Sequence, residues 1–217
     1  MGLQAILFDF DGTLVDSETL HYASWCKVLA PYDILISEAE FCDEFSGVPT
    51  VKTGHILQQR YNLSQSGTEL AKLKNLQFIE TAASHKPKLM PHAIDVLSLC
   101  SQHYKLALVT GSTRDEALPV LTYYGLLEFF ECIVCKDDVT DPKPHPEPYC
   151  LAMAKLNISA QDAIAVEDSQ TGLTSAASAG LKTVVISHLH SVGQDFSKAA
   201  WQCESLAAMW QDIVKPS

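Results

Sequence analysis

The sequence predicts an α/β fold built on a doubly wound parallel sheet, and three observations carry that prediction. Short apolar runs typical of buried strands alternate with helical patterns over much of the 217 residues. Several of these runs end in polar or small residues, as strands do at a ligand-binding edge. One long helical stretch near the N-terminus lacks any strand pattern. Alternation favours a Rossmann-like parallel sheet, and the helical stretch is best explained as an inserted α-helical cap domain.

The strand and helix patterns follow one another in a regular order along the chain. The predicted strands are Leu3–Phe8, Leu106–Val109, Cys132–Val134, Ala163–Val166 and Thr183–Ile186. The helical patterns associated with them cover Ala93–His103, Arg114–Tyr124, Glu147–Leu156, Leu173–Ala179 and Ser205–Ile213. Glycines at 125 and 180 end two of these helices. Each connection therefore has the helical content that a parallel strand pair requires.

The helical stretch between the first strand and the rest of the sheet is predicted to be a separate domain. It begins as a helix over Ser17–Leu29 and continues as helical pattern over Ser37–Ala83, with breaks at Gly47–Pro49 and Asn62–Gly67. The segment Lys86–Lys88 contains a proline and marks the return to the sheet. We therefore expect a core of residues 1–16 and 86–217 and a helical cap of residues 17–85.

Composition excludes several classes of partner. The chain carries 26 acidic and 15 basic residues, a formal net charge of −11, and no basic cluster. Nucleic-acid binding through phosphate neutralisation is therefore disfavoured. No apolar stretch has the length of a membrane span, and no secretory signal pattern is visible, so we expect a cytoplasmic protein that does not bind membranes. Nothing in the pattern requires more than a monomer.

Two spacings resemble chemical motifs but are predicted to be structural. Seven cysteines without a framework are typical of free thiols in a reducing compartment. Cys132 and Cys135 have redox spacing, yet residues three apart in a strand lie on opposite faces of the sheet. His188 and His190 resemble half of a metal site, but no second pair lies near in sequence, and we expect a surface loop there.

Polar residues follow four of the predicted strands, at the edge where ligands bind in open α/β sheets. They include carboxylates, hydroxyls and one lysine, which together are the groups that phosphoryl chemistry uses. Because parallel strands present their carboxyl ends at one edge, we expect these residues to converge. They are Asp9 and Asp11 after the first strand, Thr110, Gly111 and Ser112 after the second, Lys143 after the third, and Glu167 and Asp168 after the fourth.

Four motifs in this order resemble a known family. They are Asp9-Phe-Asp-Gly-Thr-Leu-Val15, Val109-Thr-Gly-Ser112, Lys143-Pro144 with Pro146 and Tyr149, and Val166-Glu-Asp-Ser-Gln-Thr-Gly172. The chain resembles the haloacid dehalogenase-like hydrolase superfamily, in the branch with a helical cap inserted after the first strand. It is similar in particular to β-phosphoglucomutase-like phosphatases. The resemblance covers essentially the whole chain.

The resemblance and the residue chemistry together imply a role for each residue at the edge. Asp9 is the candidate nucleophile toward phosphorus, and Asp11 is the candidate acid and base. Thr110 and Lys143 are the other catalytic candidates, and Gly111 and Ser112 are expected to bind substrate. Thr110 and Ser112 have an alternative role as caps of the following helix.

A hard, oxygen-ligated Mg²⁺ suits the carboxylates at this edge. We expect Asp9, Asp168 and the backbone carbonyl of Asp11 to hold it. Glu167 is either a further ligand or a residue that supports the ligands. The acid at Asp11 and the Glu167–Asp168 pair favour phosphoryl transfer over dehalogenation, which needs neither.

Substrate choice is expected to lie with the cap. The candidates that face substrate are His21, Trp25, Gly47, Thr50 and Lys52. Mutases of the resembled group carry an arginine where this chain has Thr50, and Lys52 lacks the bidentate fork that would replace it. His21 and Trp25 have an alternative role as residues of the cap's own core.

These features predict a Mg²⁺-dependent phosphatase that hydrolyses a small phosphorylated metabolite through an aspartyl-phosphate, with a sugar phosphate as the favoured substrate. The first alternative is a phosphosugar mutase of the β-phosphoglucomutase type, which isomerises without releasing phosphate. The second is a non-catalytic binding protein on the same fold, which would be expected to have lost one of the acids or the lysine. All of them are retained in this chain.

Overall fold

The structure is a computed structural model that describes residues 2–84, 86–188, 191 and 193–216. The chain divides into two compact units, and each is considered separately. The sheet unit comprises Met1–Asp16 and Lys88–Ser217, and the helical unit comprises Ser17–Pro87. Within the described ranges, no helix combines the length and the apolar character needed to cross a membrane.

The secondary structure alternates in the sheet unit and is helical in the inserted unit. The strands are β1 (Ala5–Phe8), β2 (Val15–Asp16), β3 (Lys88–Leu89), β4 (Lys105–Val109), β5 (Cys132–Val134), β6 (Ala163–Glu167), β7 (Lys182–Ile186) and β8 (Trp201–Cys203). The helices are α1 (Glu18–Leu29), α2 (Glu38–Glu44), α3 (Thr50–Tyr61), α4 (Gly67–Ser84), α5 (Ala93–Ser101), α6 (Arg114–Tyr123), α7 (Glu147–Leu156), α8 (Gln170–Ser178) and α9 (Leu206–Met209), the last running into a π-helical turn at Trp210–Val214.

The main sheet has six strands in the order β5-β4-β1-β6-β7-β8, and every neighbouring pair is parallel. β1 lies at the centre, where Leu7 is opposite Ala107 of β4 and Ala165 of β6. The chain leaves β1 for β4 on one side and returns to β6 on the other. The predicted α/β class, a Rossmann-like parallel sheet with an inserted helical domain, is therefore confirmed.

Alternate residues of the central strand fill two apolar layers. Ile6 and Phe8 pack in the layer that contains α5, α6 and α9, whereas Leu7 packs in the layer that contains α7 and α8. This two-sided burial explains why the strand appears in the sequence as a continuous apolar run. The same alternation separates Cys132 from Cys135, which belong to opposite layers, as their spacing in a strand predicts. That they have no redox role stays a prediction.

A second, two-stranded sheet lies where the chain leaves and re-enters the sheet unit. β2 and β3 are antiparallel, with Val15 opposite Leu89 and Asp16 opposite Lys88. The backbone N–H of Met90 also donates to the carbonyl of Leu14. These bonds hold together the two chain segments that flank the insertion.

The helical unit has an apolar core of its own, built from α1 to α4. Its buried residues include Trp25, Val28, Leu29, Ile36, Phe41, Phe45, Leu57 and Leu70. Ser37 caps α2 by accepting the backbone N–H of Glu40, and Asn62 ends α3 in the left-handed region at φ 49°. In the described part of this unit no strand is present, as the absence of a strand pattern predicts.

The structure differs from the sequence predictions where the signal is weak. The sequence does not predict β8, because Trp201 and Gln202 are exposed at the sheet edge and form no apolar run. α8 begins at Gln170 rather than Leu173, because Ser169 caps it by accepting the backbone N–H of Gly172. Capping thus places a glycine inside the first turn, where sequence reasoning expects a break.

Burial on α5 predicts a large difference between two identical substitutions. Leu97 is fully buried against the sheet, whereas Leu99 is 36% exposed on the same helix. We expect Leu97→Ala to lower the free energy of unfolding by about 2–5 kcal/mol. Leu99→Ala should change it by only about 0.5 kcal/mol. Urea unfolding followed by circular dichroism measures both, and equal losses would contradict the packing described.

Candidate active site

The carboxyl ends of three neighbouring strands bring the polar residues together. Asp9 follows β1 directly, Thr110 follows β4 directly, and Glu167 is the last residue of β6. The ladder continues beyond the strands, since Asp9 N–H donates to the Val166 carbonyl and Thr110 N–H to the Val134 carbonyl, each at 2.9 Å. The side chains that follow are therefore carried on a hydrogen-bonded backbone rather than on free loops.

The lysine of the loop after β5 lies at the centre of this group. Lys143 Nζ donates to Asp9 Oδ1 at 2.7 Å, to Glu167 Oε1 at 2.6 Å and to the Val109 carbonyl at 2.8 Å. Burial alone would lower its pKa, but the two carboxylates outweigh burial and raise the lysine pKa above its usual range. The ammonium is therefore a permanent charge in the interior, with three acceptors for its three hydrogens.

Three buried carboxylates surround this single ammonium. Oxygens of Asp9, Glu167 and Asp168 lie within 4.8 Å of one another, and all three residues are buried. Burial and then the Glu167 charge raise the pKa of Asp9 well above its usual value, although Lys143 opposes the shift. The pKa of Asp168 is raised well above its usual value by the same two causes. Negative charge therefore exceeds positive charge here.

The composition of this cluster fits a hard divalent cation. Mg²⁺ prefers oxygen ligands in proteins, and carboxylates that lie close together without enough positive charge to neutralise them provide such ligands. A dication would remove the repulsion that raises the pKa values of Asp9 and Asp168. The residues present thus suit the metal that the sequence predicts.

Glu167 is held in place by neutral and charged donors and by a close backbone approach. The Tyr149 hydroxyl donates to Glu167 Oε1 at 2.6 Å, on the same oxygen that Lys143 binds. The Tyr149 ring also lies 5.0 Å from the Lys143 ammonium, a cation–π distance. On the other side, a Cβ built on Gly172 would lie 1.9 Å from Glu167 Oε2, so only glycine fits there.

The second aspartate of the first motif contacts the hydroxyls after β4. Asp11 Oδ2 accepts from Ser112 Oγ at 2.6 Å and from Thr110 Oγ1 at 3.3 Å. Gly12, the residue after Asp11, adopts a positive φ of 80°. A Cβ at this position would lie 2.0 Å from Asp168 Oδ2. Glycine is therefore required both by the backbone conformation and by the carboxylate beside it.

The helix after β4, α6, is capped by Thr113 and not by Thr110 or Ser112, the two alternatives that the sequence offers. Thr113 and Glu116 form a reciprocal capping box at the start of α6. The backbone N–H of Ser112 donates to Thr110 Oγ1 at 2.9 Å. The capping alternative for Thr110 and Ser112 is therefore wrong, and both hydroxyls are directed to the Asp11 side. Gly111, between them, is exposed.

A histidine that the sequence assigns to a surface loop instead contacts the carboxylate cluster. His188 Nε2 lies 2.9 Å from Asp168 Oδ2, and its side chain is 14% exposed. The surface-loop interpretation of His188 is wrong, and His190 lies outside the described residues. The available signal was its position two residues after the end of β7, at the same sheet edge as the other site residues.

The candidates in the helical unit differ in their surroundings. Trp25 is 2% exposed in that unit's apolar core, which supports the core alternative for this residue. Gly47 has φ 70°, Thr50 is the first residue of α3, and Lys52 is exposed on the same helix. Whether these residues and His21 bind substrate stays a prediction.

His21 belongs to a small cluster that includes a lysine missed by sequence reasoning. Its ring stacks on Phe78 with centroids 4.4 Å apart, and Lys74 Nζ lies 4.7 Å from the same Phe78 ring. Burial, and then the Lys74 charge, lowers the pKa of His21 well below its usual value, so the imidazole is neutral near pH 7. Lys74 is 1% exposed, and nothing in the helical pattern of α4 distinguishes it from a surface lysine.

Comparison with known proteins finds relatives over most of the chain. The family model of the haloacid dehalogenase-like hydrolases matches residues 6–186. Protein CbbY of Rhodobacter capsulatus is 30% identical over 220 residues, which cover 96% of this chain and 96% of that protein. A phosphorylated carbohydrates phosphatase of Thermotoga maritima is 30% identical over 183 residues, which cover 84% of each chain.

The solved structures include one of a related chain with a phosphorylated ligand. A mutant of CbbY from Rhodobacter sphaeroides in complex with xylulose-(1,5)-bisphosphate matches with a TM-score of 0.79 and 25% identity, over 95% of this chain and 96% of that one. The resemblance inferred from the four motifs is thus confirmed, because the family model spans most of the sequence. This chain belongs to the haloacid dehalogenase-like hydrolase family.

Proposed function

We propose that this protein is a Mg²⁺-dependent phosphatase that hydrolyses a small phosphorylated metabolite, a sugar phosphate, through an aspartyl-phosphate intermediate. The observation that carries the proposal is the contact of Asp9 with the Lys143 ammonium inside a buried carboxylate cluster. Relatives named for phosphorylated carbohydrates and a bisphosphate-bound structure support the substrate class.

The first half of the reaction uses the two aspartates of the first motif. Asp9 Oδ1 is held by Lys143, so its other oxygen is the one placed to attack phosphorus. The new Asp9 O–P bond forms as the bond from phosphorus to the leaving oxygen breaks. Asp11 gives its proton to that oxygen, so that an alcohol departs rather than an alkoxide.

The second half reverses the role of Asp11. As a carboxylate it takes a proton from water, whose oxygen attacks phosphorus and releases inorganic phosphate, restoring the Asp9 carboxylate. The hydroxyls of Thr110 and Ser112, which donate to Asp11 in this structure, would donate to phosphoryl oxygens when substrate binds. Lys143 keeps its charge throughout and stabilises the negative charge on the transferring group.

Charge balance is the reason for a metal in this proposal. Asp9, Asp168 and the Asp11 carbonyl would hold Mg²⁺, with Glu167 as a further ligand or a supporting residue. Its contribution when bound is to neutralise the cluster and the phosphoryl group. One like-charge contact at 4 Å costs about 4 kcal/mol at an effective dielectric constant near 20. Several carboxylates and a phosphate make several such contacts, and the single ammonium of Lys143 cannot offset them all.

Substrate selection is assigned in this proposal to the helical unit, the predicted cap. The polar candidates are His21, Gly47, Thr50 and Lys52, and we add the buried Lys74 beside His21. Thr50 has no charge with which to grip a second phosphate. This favours hydrolysis of a monoester over the mutase reaction, which must hold a bisphosphate in two orientations.

If Asp9 is the nucleophile, replacing its carboxylate with an amide should abolish phosphate release. Asp9→Asn should lower release from a panel of sugar phosphates by about 10³-fold or more, because an amide cannot form the intermediate. Chelation of Mg²⁺ should abolish release by the wild type. Malachite-green phosphate detection measures both.

Asp95→Asn, an exposed aspartate on α5, is the matched control and should behave as wild type. Wild-type rates for Asp9→Asn would disprove the nucleophile. Interconversion of hexose phosphates by the wild type, without release of phosphate, would move the chain to the mutases.

The acid–base assignment predicts a separation of turnover from binding. Asp11→Asn should lower kcat by about 10²–10⁴-fold, since proton transfer to the leaving oxygen is lost. Inhibition by inorganic phosphate should stay within about threefold of wild type, because Lys143 and the Asp9 cluster are untouched. Steady-state kinetics with phosphate as product inhibitor gives both values, and an unchanged kcat would rule Asp11 out as the acid.

The close approach of Gly172 to Glu167 predicts that Gly172→Ala destabilises the protein, although helix propensity alone predicts that it stabilises it. Gly→Ala in a helix ordinarily stabilises by about 1 kcal/mol. Here the methyl group would lie about as close as 1.9 Å to Glu167 Oε2, so the carboxylate must leave Lys143 and Tyr149. We expect Gly172→Ala to lower kcat by about tenfold or more.

Thr174→Ala, an exposed position on the same helix, is the control for Gly172→Ala. Thermal unfolding should show the control near wild type and Gly172→Ala destabilised. Wild-type kcat and stability in Gly172→Ala would mean that Glu167 does not need its observed position.

A further inference from the structure

We propose that His188 is a positioning residue for Asp168, holding one carboxylate oxygen so that the other is presented to the divalent cation. The inference rests on the proposed function, because Asp168 is a metal ligand only there. Its basis is the contact of His188 Nε2 with Asp168 Oδ2 at 2.9 Å. No motif of the family resemblance contains His188.

The imidazole is carried on a fixed segment of backbone. β7 is the neighbour of β6, with Val184 opposite Val166, so the residues after both strands emerge side by side. His188 N–H donates to Ser191 Oγ at 2.9 Å, and Ser191 Oγ donates in turn to the His188 carbonyl at 3.0 Å. The backbone of His188 is therefore held by the sheet before it and by its two hydrogen bonds with the Ser191 hydroxyl.

The bound oxygen of Asp168 is enclosed on two sides. The same Oδ2 atom would be 2.0 Å from a Cβ on Gly12, and that Cβ would be 3.2 Å from His188 Nε2. Asp168 Oδ2 thus lies close to both the Gly12 backbone and the imidazole, where a side chain at position 12 would not fit. Rotation of the carboxylate would break the His188 contact, so its orientation is set.

A histidine is chemically suited to this position. A metal-bound carboxylate is ionised and only accepts hydrogen bonds, so in that state the His188 Nε2–H would be the donor to Asp168 Oδ2. The imidazole offers one N–H at Nε2, which is enough to hold a single carboxylate oxygen and leaves the second oxygen for the cation. Hydrogen bonds from outside to metal-binding side chains typically change metal affinity by about 10–100-fold. His188 then contributes to metal affinity while touching neither metal nor substrate.

The test measures metal binding to the substrate-free full chain. Mn²⁺ binding is followed by the loss of its free electron paramagnetic resonance signal, and Mg²⁺ affinity by displacement of the bound Mn²⁺. We expect His188→Leu to weaken both affinities by about tenfold or more, because the donor is lost. His188→Gln, whose Nε2 reaches a similar position, should bind both metals within about threefold of wild type.

Two controls separate the imidazole from the loop and the fold. Ser191→Ala removes the turn's hydroxyl and keeps the ring, and its metal affinity should exceed that of His188→Leu. Thermal unfolding without metal should be alike in His188→Leu and His188→Gln. Wild-type affinity in His188→Leu would overturn the inference, as would an equal loss in Ser191→Ala.

Failure of the proposed function gives a different result from failure of this inference. Metal binding that depends on His188, in a protein that releases no phosphate from any substrate, would reject the phosphatase and support the positioning role. A wild-type protein that binds neither Mn²⁺ nor Mg²⁺ would overturn the positioning role.

Discussion

The site depends on one buried ammonium. Lys143 Nζ joins Asp9 after β1, the Val109 carbonyl at the end of β4 and Glu167 at the end of β6, so it binds three adjacent strand ends at once. Removing one partner of a buried ion pair typically costs about 3–5 kcal/mol, because the other charge is left uncompensated. The contacts that position Asp9, the proposed nucleophile, therefore also stabilise this edge of the sheet.

One ammonium among several carboxylates explains the character of the surrounding residues. The other supports carry no lysine or arginine: they are the Tyr149 hydroxyl on Glu167, the His188 imidazole on Asp168, and the bare backbone of Gly12 and Gly172. A lysine or arginine in any of these places would supply the charge that the proposed function assigns to Mg²⁺. The excess negative charge, visible in the raised pKa values of Asp9 and Asp168, is thus retained by the choice of neighbours.

Much of this arrangement is predictable from the sequence because apolar runs mark where strands end. Parallel strands share an edge, so the sequence alone is enough to expect Asp9, Thr110 and Asp168 together. The supports are not predictable in this way, since they depend on side chains meeting across elements. The position of His188 after β7 indicates the right sheet edge but not its contact with Asp168, and nothing local indicates that α1 and α4 stack His21 on Phe78. Short edge strands such as β8 lack the apolar run on which the prediction depends.

The residues assigned to chemistry and to selection fall in different units. Every side chain given a role in phosphoryl transfer belongs to the sheet unit, whereas the candidates for selection belong to the helical unit. The helical unit has its own apolar core, which includes Trp25, so its polar residues can change without loss of that core. Thr50 and Lys52 take part in neither the Lys143 contacts nor the carboxylate cluster. A chain organised in this way can change its substrate while it keeps its reaction.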